Sequence, residues 1–281
     1  MSYKIVIDSC GELTPEMKSS GKFSNIPLTL QVDNLEIIDD ETFHQKEFLE
    51  AVAKSPNCPK SACPSPEKYK EACEGAEEHV YIVTLSANLS GSYNSAVLGR
   101  ELYLEEQNEK SKNIHVFNSR SASVGQSLIA LKIQECEEKG MPFCQVVEET
   151  EKYIGGMRTY FVLENLETLR KNGRLGLVKA LVASALKIKP VMGEDGEGNI
   201  LQLDQARGIN KALMKMIDHV EKNIENPQEK ILGITNCNCP ERAEMIREEL
   251  ERRLKVKDII MVEAAGVSSM YANDGGIIIA V

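Results

Sequence analysis

A short loop rich in hydroxyl groups follows an apolar run and is the part of the chain best suited to bind an anion. Residues 80–85 are apolar, β-branched or aromatic, which predicts a buried strand. Ser90, Gly91 and Ser92 follow, and the sequence from Tyr93 onwards predicts a helix. Free N–H groups at a helix start, together with serine hydroxyls, suit a carboxylate or a phosphate. The alternative is a serine-rich turn and helix cap that binds no ligand.

A second loop of the same kind follows the next predicted strand, Ile114–Asn118. Its residues 118–127 carry several serines, an arginine and a glycine, and they lead into a predicted helix over 125–138. Hydroxyl groups also occur in Ser61–Ser65, inside a loop punctuated by prolines over 55–66. Two strand–helix units therefore end in hydroxyl-rich loops.

Strands alternate with helices along the whole chain, and this order has to position the loops. The alternation predicts an α/β protein with a mostly parallel N-terminal sheet that is flanked by helices on both faces. A boundary is predicted near Gly155 and Gly156. It divides the chain into an N-terminal α/β domain over residues 1–155 and a C-terminal α/β domain over residues 156–281.

Three further segments carry specific expectations. Ile26–Val32 is predicted to be one strand, and the acidic run 39–41 is interpreted as a solvated turn. A hairpin is predicted from Lys189–Met192 and Ile200–Leu203, which flank a glycine-containing turn. Residues 178–187 form an amphipathic to apolar stretch.

Composition narrows the classes of function. The 281 residues have a net charge of −10 and lack tryptophan, which disfavours a nucleic-acid partner. The eight cysteines form no C-x-x-C pair, so no zinc ribbon is expected, and free thiols predict a reducing, cytoplasmic location. The sequence opens directly on an apolar strand and has no run of membrane-spanning length, so we expect neither a signal peptide nor integral membrane association.

Several enzyme and binding functions compete with simple anion binding. A serine hydrolase would need a nucleophile elbow and a histidine, but no G-x-S-x-G is present and the four histidines are interpreted as surface residues. A cysteine enzyme built on Cys10 or Cys63 has no evident base. An enzyme or binder for a small phosphorylated metabolite remains the main alternative, although no Walker or G-x-G-x-x-G motif supports it. The charged helix Pro240–Leu254 could serve a protein-interaction module, although alternating Glu and Arg is typical of a solvated face.

Several motifs together resemble the DegV family of bacterial fatty-acid-binding proteins. The most specific are Leu89–Tyr93 and Leu169–Arg174, and Ser61–Ser65, Val6–Ser9 and Phe117–Ser121 agree in order and spacing. The resemblance covers essentially the whole chain. It implies two α/β domains with a long-chain fatty acid in a cleft between them, and a carrier rather than an enzyme. Some family members are the acyl-carrying subunit of a fatty acid kinase, so such a kinase is an implied partner.

The resemblance also implies site residues. The fatty-acid carboxylate would be bound by the Ser61-Ala62 loop and by the turn Ser90, Gly91 and Ser92. The vicinity of the head group would contain Ser119, Arg174, Arg207 and Tyr271. No catalytic residue, metal site or cofactor is expected beyond the fatty acid itself.

Four positions depart from the family pattern. The family's Thr-Ser-Gln is Ser61–Cys63 here, the aspartate of its Asp-Ser motif is Asn118, and its Gly-x-Gly keeps only Gly125. The histidine of its C-terminal His-x-Gly-Pro-Gly, which is associated with phosphoryl transfer, is Tyr271. We therefore expect fatty-acid binding to be kept and the kinase partnership to be weakened.

The acyl tail is expected to determine affinity. Burial contributes about 0.8 kcal/mol per methylene, so a sixteen-carbon chain gains roughly 12 kcal/mol before ordering is counted. Hydrogen bonds to the carboxylate contribute about 1.5–3 kcal/mol each. Residues 161–163 and 177–188 are the candidates to line an apolar tunnel, with ordinary core packing as the alternative.

Overall fold

The computed structural model describes residues 2–106, 112–175 and 188–281. Up to residue 156 the described chain forms, in order, β1 (Tyr3–Asp8), α1 (Pro15–Ser19), β2 (Phe23–Ile26), β3 (Thr29–Val32), β4 (Leu35–Ile38), α2 (Gln45–Lys54), β5 (Lys60–Ala62), α3 (Pro66–Cys73), β6 (His79–Thr84), α4 (Ser92–Glu106), β7 (Asn113–Asn118), α5 (Val124–Glu138) and α6 (Phe143–Gly156). The rest forms β8 (Thr159–Val162), α7 (Glu167–Lys171), β9 (Ile188–Glu194), β10 (Ile200–Arg207), α8 (Ile209–Asn223), β11 (Ile231–Asn236), α9 (Pro240–Arg253), β12 (Asp258–Glu263), α10 (Gly266–Ala272) and β13 (Ile277–Ala280).

The first sheet consists of parallel strands in the order β2-β1-β6-β7. Its central strands are apolar on both faces, as expected for a parallel sheet that helices cover on both sides. Val6, Val80 and Ile82 pack with α3 and α4, whereas Ile7 and Val83 pack with α5 and α6. The predicted class, an α/β fold whose N-terminal sheet is parallel and flanked by helices, is therefore confirmed.

The second sheet is mixed, in the order β10-β9-β8-β13-β11-β12, with only β11 and β12 parallel among the described strands. Helix α8 covers its outer face together with α9. The apolar side chains of α8 recur at helical spacing, which buries one stripe of the helix against the sheet: Ala212, Leu213, Met216, Ile217 and Val220. The predicted hairpin is β9 and β10. β9 is longer than expected at both ends, and β10 starts at Ile200 as expected and continues to Arg207.

Helix α5 lies between the two sheets. Its Leu128, Ile129 and Ile133 share one apolar cluster with β1 and β6 and also with Val262 and Ala280 of the second sheet. Strands of the first sheet all precede residue 119, and those of the second sheet all follow residue 158. Because α5 packs against both sheets, the boundary at residue 155 stays a prediction about where the chain divides.

A small antiparallel sheet, β4-β3-β5, corrects the prediction of a single strand over Ile26–Val32. The strand is interrupted at Pro27, which has no N–H group to donate to a continuing ladder of hydrogen bonds. Next to it, the Leu28 N–H donates to Ser9 Oγ (2.9 Å) and the Leu28 carbonyl accepts from the Asp39 N–H (2.9 Å). The strand therefore leaves the parallel sheet and starts a second one, which carries the Ser61 loop.

The interpretation of the acidic run 39–41 as a solvated turn is wrong for its first residue, Asp39. Asp39 is buried, accepts from Ser9 Oγ (2.8 Å), and accepts from the N–H groups of Gly266 (2.6 Å) and Val267 (2.9 Å). These N–H groups belong to the first turn of α10, where a carboxylate is favoured. Asp39 thus joins the N-terminal part of the chain to a helix near its end.

One histidine was wrongly interpreted as a surface residue. His79 is buried at the start of β6, and its Nδ1 lies 2.6 Å from Glu137 Oε1. The Tyr81 hydroxyl group donates to the same oxygen at 2.5 Å. Burial is the larger cause of the raised pKa of Tyr81, and this hydrogen bond is the second. A buried carboxylate with two partners is thereby accommodated in the core, well away from the serine loops.

Candidate functional site

The two hydroxyl-rich loops are adjacent because they follow neighbouring parallel strands, β6 and β7. Asn118 joins them, since its Oδ1 accepts from the Ala87 N–H (3.0 Å) and from the Arg120 N–H (3.2 Å). The Ser86 N–H also donates to the Ser121 carbonyl at 2.8 Å. The amide at position 118 therefore holds two loops of the site in one arrangement.

The turn before α4 presents one serine outward and buries the other. Ser90 Oγ accepts from the Ser92 N–H (3.2 Å) and lies 3.1 Å from Ser92 Oγ. Ser92 is fully buried and approaches Asp8, whose Oδ2 accepts from the Leu85 N–H at 2.8 Å. Burial raises the pKa of Asp8 to about 6, partly offset by these hydrogen bonds. Ser92 therefore supports the turn from below, and Ser90 faces the open side.

Two elements distant in sequence complete the polar side of the site. Ser61 lies on β5 and Tyr271 on α10, and their hydroxyl oxygens are 3.4 Å apart. Burial raises the pKa of Tyr271, and contact with Ser61 and the charge of Arg174 act in the opposite direction. The phenol is therefore a neutral hydrogen-bond donor at physiological pH.

Arg174 supplies the positive charge next to these hydroxyl groups. Its Nε donates to the Leu89 carbonyl (3.2 Å) and its Nη1 to the Asn172 carbonyl (2.5 Å). The Asn172 side chain in turn donates to the Pro59 carbonyl at 2.9 Å. The turn after α7, which contains Gly173 at φ +73°, thus connects the Ser61 loop and the Ser90 loop.

A cavity of about 360 Å³ opens beside these polar groups. Exposed residues Ala62, Cys63 and Gly91 lie at its mouth, and a Cβ on Gly91 would come within 3.2 Å of Cys63 Sγ. The interior is mostly apolar, with walls formed by Leu28, Leu85, Leu89, Ala122, Phe161, Leu163, Leu169, Ile200, Val267, Ala272 and Ile278. The arrangement suits an amphipathic molecule with a small anionic head and a long apolar tail.

Both halves of the chain contribute to the cavity. Thr159 and Phe161 of β8 line it, as does Leu163 directly after the strand, whereas Tyr160 and Val162 pack against the outer helices. Comparison with known proteins fits this architecture: the family model described as uncharacterised protein, DegV family, matches residues 2–281. The chain belongs to the DegV family.

Solved structures of DegV proteins superpose closely on this chain. A DegV family protein from Ruminococcus gnavus, solved with vaccenic acid, is 54% identical with a TM-score of 0.97, and the match covers 100% of both chains. The Streptococcus pneumoniae Fatty Acid Kinase (Fak) B3 protein, loaded with linoleic acid, is 30% identical with a TM-score of 0.87 over 100% of this chain and 99% of that one. A curated DegV domain-containing protein from Streptococcus pneumoniae is 32% identical, with 99% of this chain and 98% of the relative aligned.

In this DegV chain, the cavity brings together most of the predicted site residues. Ser61, Ala62, Ser90, Gly91, Arg174 and Tyr271 all line it. Three others do not belong to the described lining: Ser92 and Ser119 are buried beneath the loops, and Arg207 is exposed at the end of β10. Ser119 instead builds the second loop, where its Oγ accepts from the Ser121 N–H at 3.0 Å.

Of the predicted tunnel segments, residues 161–163 contribute Phe161 and Leu163 to the lining. Residues 177–187 lie outside the part of the chain that the structure describes. Sequence reasoning missed Ile200, Ile278 and the helix α10, which contributes Val267 and carries the predicted residue Tyr271. The spacing of Val267, Met270 and Tyr271 was the available signal for α10, although a helix of seven residues gives it little weight.

Over the described ranges, no helix combines the length and apolar composition that a membrane crossing requires.

Proposed function

We propose that this protein binds a long-chain fatty acid and acts as its carrier, with no catalytic step of its own. The observation that carries the proposal is the amphipathic cavity, in which hydroxyl groups and Arg174 lie at the mouth and apolar side chains form most of the remaining lining. Support comes from DegV proteins solved with vaccenic acid and linoleic acid, at 54% and 30% identity. A small phosphorylated metabolite would leave most of this apolar lining without a partner.

The size of the cavity supports a long acyl chain. An apolar cavity of about 150 Å³ accepts a six-carbon ring. By the same ratio, about 360 Å³ accommodates on the order of 14 carbons. Each buried methylene contributes about 0.8 kcal/mol, so the tail supplies most of the binding free energy.

The mouth supplies donors for the carboxylate. Ser61, Ser90 and Tyr271 carry hydroxyl groups there, and Arg174 is the adjacent cation. Hydrogen bonds to a charged group contribute about 1.5–3 kcal/mol each, so these residues fix the polarity and register of the ligand. The carboxylate therefore stays at the mouth while the tail enters the interior.

Loss of both serine hydroxyls should weaken fatty-acid retention. Ser61→Ala combined with Ser90→Ala removes two hydrogen-bond donors to the carboxylate, which together contribute about 3–6 kcal/mol if no water takes their place. Because water restores part of this hydrogen bonding, we expect Kd for a fluorescent long-chain fatty acid to rise at least about 10-fold. Titration of delipidated protein measures it.

Ser65→Ala is the matched control, because Ser65 is an exposed serine of the same loop outside the described cavity lining. Its Kd should equal that of the wild type. An unchanged Kd in the double variant would remove both serines from the site.

Presentation of the ligand to a fatty acid kinase is the finer part of the proposal. Support comes from the Fak B3 protein, which is named as part of such a kinase. Where the family's C-terminal motif has a histidine, this chain has Tyr271. The raised pKa of Tyr271 keeps its hydroxyl group protonated, whereas a histidine imidazole gains and loses a proton near neutral pH. The wild type should therefore be a poor acceptor substrate.

Tyr271→His should increase phosphorylation of the bound fatty acid by a purified bacterial fatty acid kinase. A positioned acid–base group contributes about 100-fold or more, and the gain should approach the lower end of that range. Acyl phosphate formation from labelled ATP measures it, with the kinase's own binding subunit as positive control. Efficient phosphorylation on the wild-type protein would contradict the role given to Tyr271.

A cytoplasmic location completes the proposal. All eight cysteines are free thiols, and four of them are buried without a disulfide partner. Free thiols persist in reducing compartments, which supports this location.

A further inference from the structure

The end of the cavity remote from Arg174 is built differently from its walls. Thr159 is the first residue of β8 and Leu163 directly follows its last residue. Both line the cavity, and extended chain rises about 3.3 Å per residue, which separates them by roughly 13 Å. Leu163 shares an apolar cluster with Leu169 and Leu175, the neighbours of Arg174. Thr159 therefore lies at the inner end of the cavity.

Three polar residues line the cavity at this inner end. Ser121 Oγ and Thr159 Oγ1 are hydrogen-bonded at 2.6 Å, and Glu194 on the adjacent strand also contributes to the lining. We call these three residues the floor. The hydrogen bond fixes the rotamers of Ser121 and Thr159, so the floor cannot give way as a flexible apolar side chain would.

The floor is also a partition. Thr159 and Glu194 line a second cavity of about 420 Å³ on the far side, together with Arg158, Tyr160 and Lys230. Glu194 accepts from the Gly196 N–H, and Arg158 Nε lies 3.8 Å from its other oxygen, which keeps the carboxylate in place. Thr159 and Glu194 therefore lie between the apolar cavity and further space.

We propose that the hydrogen-bonded Ser121–Thr159 pair, supported by Glu194, ends the acyl tunnel and sets the longest fatty-acid tail that fits. This inference rests on the proposed function. Methylenes in the apolar part each strengthen binding about 4-fold, whereas carbons beyond the floor have no room. Affinity for saturated fatty acids should therefore rise with chain length up to one length and stop rising beyond it. We call this length the break.

Competition titrations with saturated fatty acids from C12 to C20 test the floor. Thr159→Ala removes both the methyl group and the hydroxyl group of the floor residue. Its break should move to a longer chain, with about 4-fold tighter binding of the first fatty acid past the wild-type break. Thr159→Ser keeps the hydroxyl group and its hydrogen bond to Ser121 and should keep the break. A break that does not move in Thr159→Ala, or that moves equally in Thr159→Ser, overturns the inference.

Two further variants separate the floor from other effects. Ser121→Ala removes the other partner and should also move the break, which keeps the test valid if Thr159→Ala does not fold. Thr150→Ala removes a buried threonine hydroxyl group from α6, outside the described cavity lining, and should leave the break unchanged. Absence of binding by the wild type at every chain length would overturn the proposed function, whereas tight binding with an immobile break would overturn only the floor.

Discussion

Ala122→Phe should reduce the affinity for a long-chain fatty acid more than about 100-fold. Ala122 lines the cavity from the second hydroxyl-rich loop and packs against the apolar cluster that includes Leu28, Leu85 and Val267. A phenyl ring takes the space of about six carbons, which removes roughly 5 kcal/mol of tail burial. The head-group donors stay in place, so the variant separates tail burial from carboxylate binding.

Titration of delipidated protein with a fluorescent fatty acid measures this change. Ala76→Phe adds the same side chain at an exposed position before β6 and should bind as the wild type does. Thermal unfolding should show that both variants are folded. Wild-type affinity in Ala122→Phe would mean that the tail lies elsewhere.

Buried carboxylates should make this protein more stable in mild acid than at pH 8. Burial raises the pKa of Glu12 from 4.5 to about 7, although Ser123 Oγ (2.9 Å) and the Ala265 N–H (3.3 Å) donate to it. Between these two pKa values the folded state binds more protons than the unfolded state. The free energy of unfolding therefore falls as pH rises through this window, by about 2 kcal/mol between pH 5.5 and 8.

Glu12→Gln should remove that part of the pH dependence. Asp8, whose pKa burial raises to about 6, leaves a smaller slope of the same sign, about 1 kcal/mol over the same range. Urea unfolding at pH 5.5 and pH 8 measures both, and Glu50→Gln, at an exposed position on α2, is the control. Equal slopes in Glu12→Gln and the wild type would show that Glu12 does not titrate in this window.

Glu12 and Asp39 both accept hydrogen bonds from the start of α10, and this connects them to the functional site. Their carboxylates accept from the backbone N–H groups of Ala265, Gly266 and Val267. The same helix presents Tyr271 to the mouth of the cavity. Two buried carboxylates from the N-terminal part of the chain thus position a ligand-facing helix near residue 270.

The parallel sheet and its two loops could be predicted because their signals are local. Strands such as β6 are continuous apolar runs, and each ends in glycine, serine or asparagine before a helix starts. The order of strands and helices then limits the topology, because parallel strands need crossover connections. Ser90 was found in this way from its position after a strand.

The remaining elements depend on contacts that a local pattern does not contain. The small sheet β4-β3-β5 pairs short strands, and Leu35 and Ile38 on its edge are exposed, so no alternation of apolar residues indicates it. Asp39 looks like part of an acidic turn until Gly266, 227 residues away, provides its partner. His79 likewise becomes a core residue only because Glu137 lies beside it.

The residues of the site also divide into those that the sequence indicated and those that it did not. Motif resemblance indicated Ser61, Arg174 and Tyr271, and these residues meet at the mouth although they lie on three distant segments. It also indicated Arg207, which lies exposed at the end of an edge strand. Interior residues such as Ile200 and Ile278 carry no motif, because an apolar side chain that lines a cavity looks like any other core residue.

Mass spectrometry of an organic extract, from folded protein purified without detergent, tests the central claim most directly. The carrier account predicts a fatty acid in stoichiometric amount, of a length that the cavity of about 360 Å³ accommodates. Ala122→Phe, purified in parallel, should yield an extract without it. A wild-type extract without fatty acid, from protein that then also fails to bind added fatty acid, would contradict the account and favour a small polar or phosphorylated ligand at the same loops.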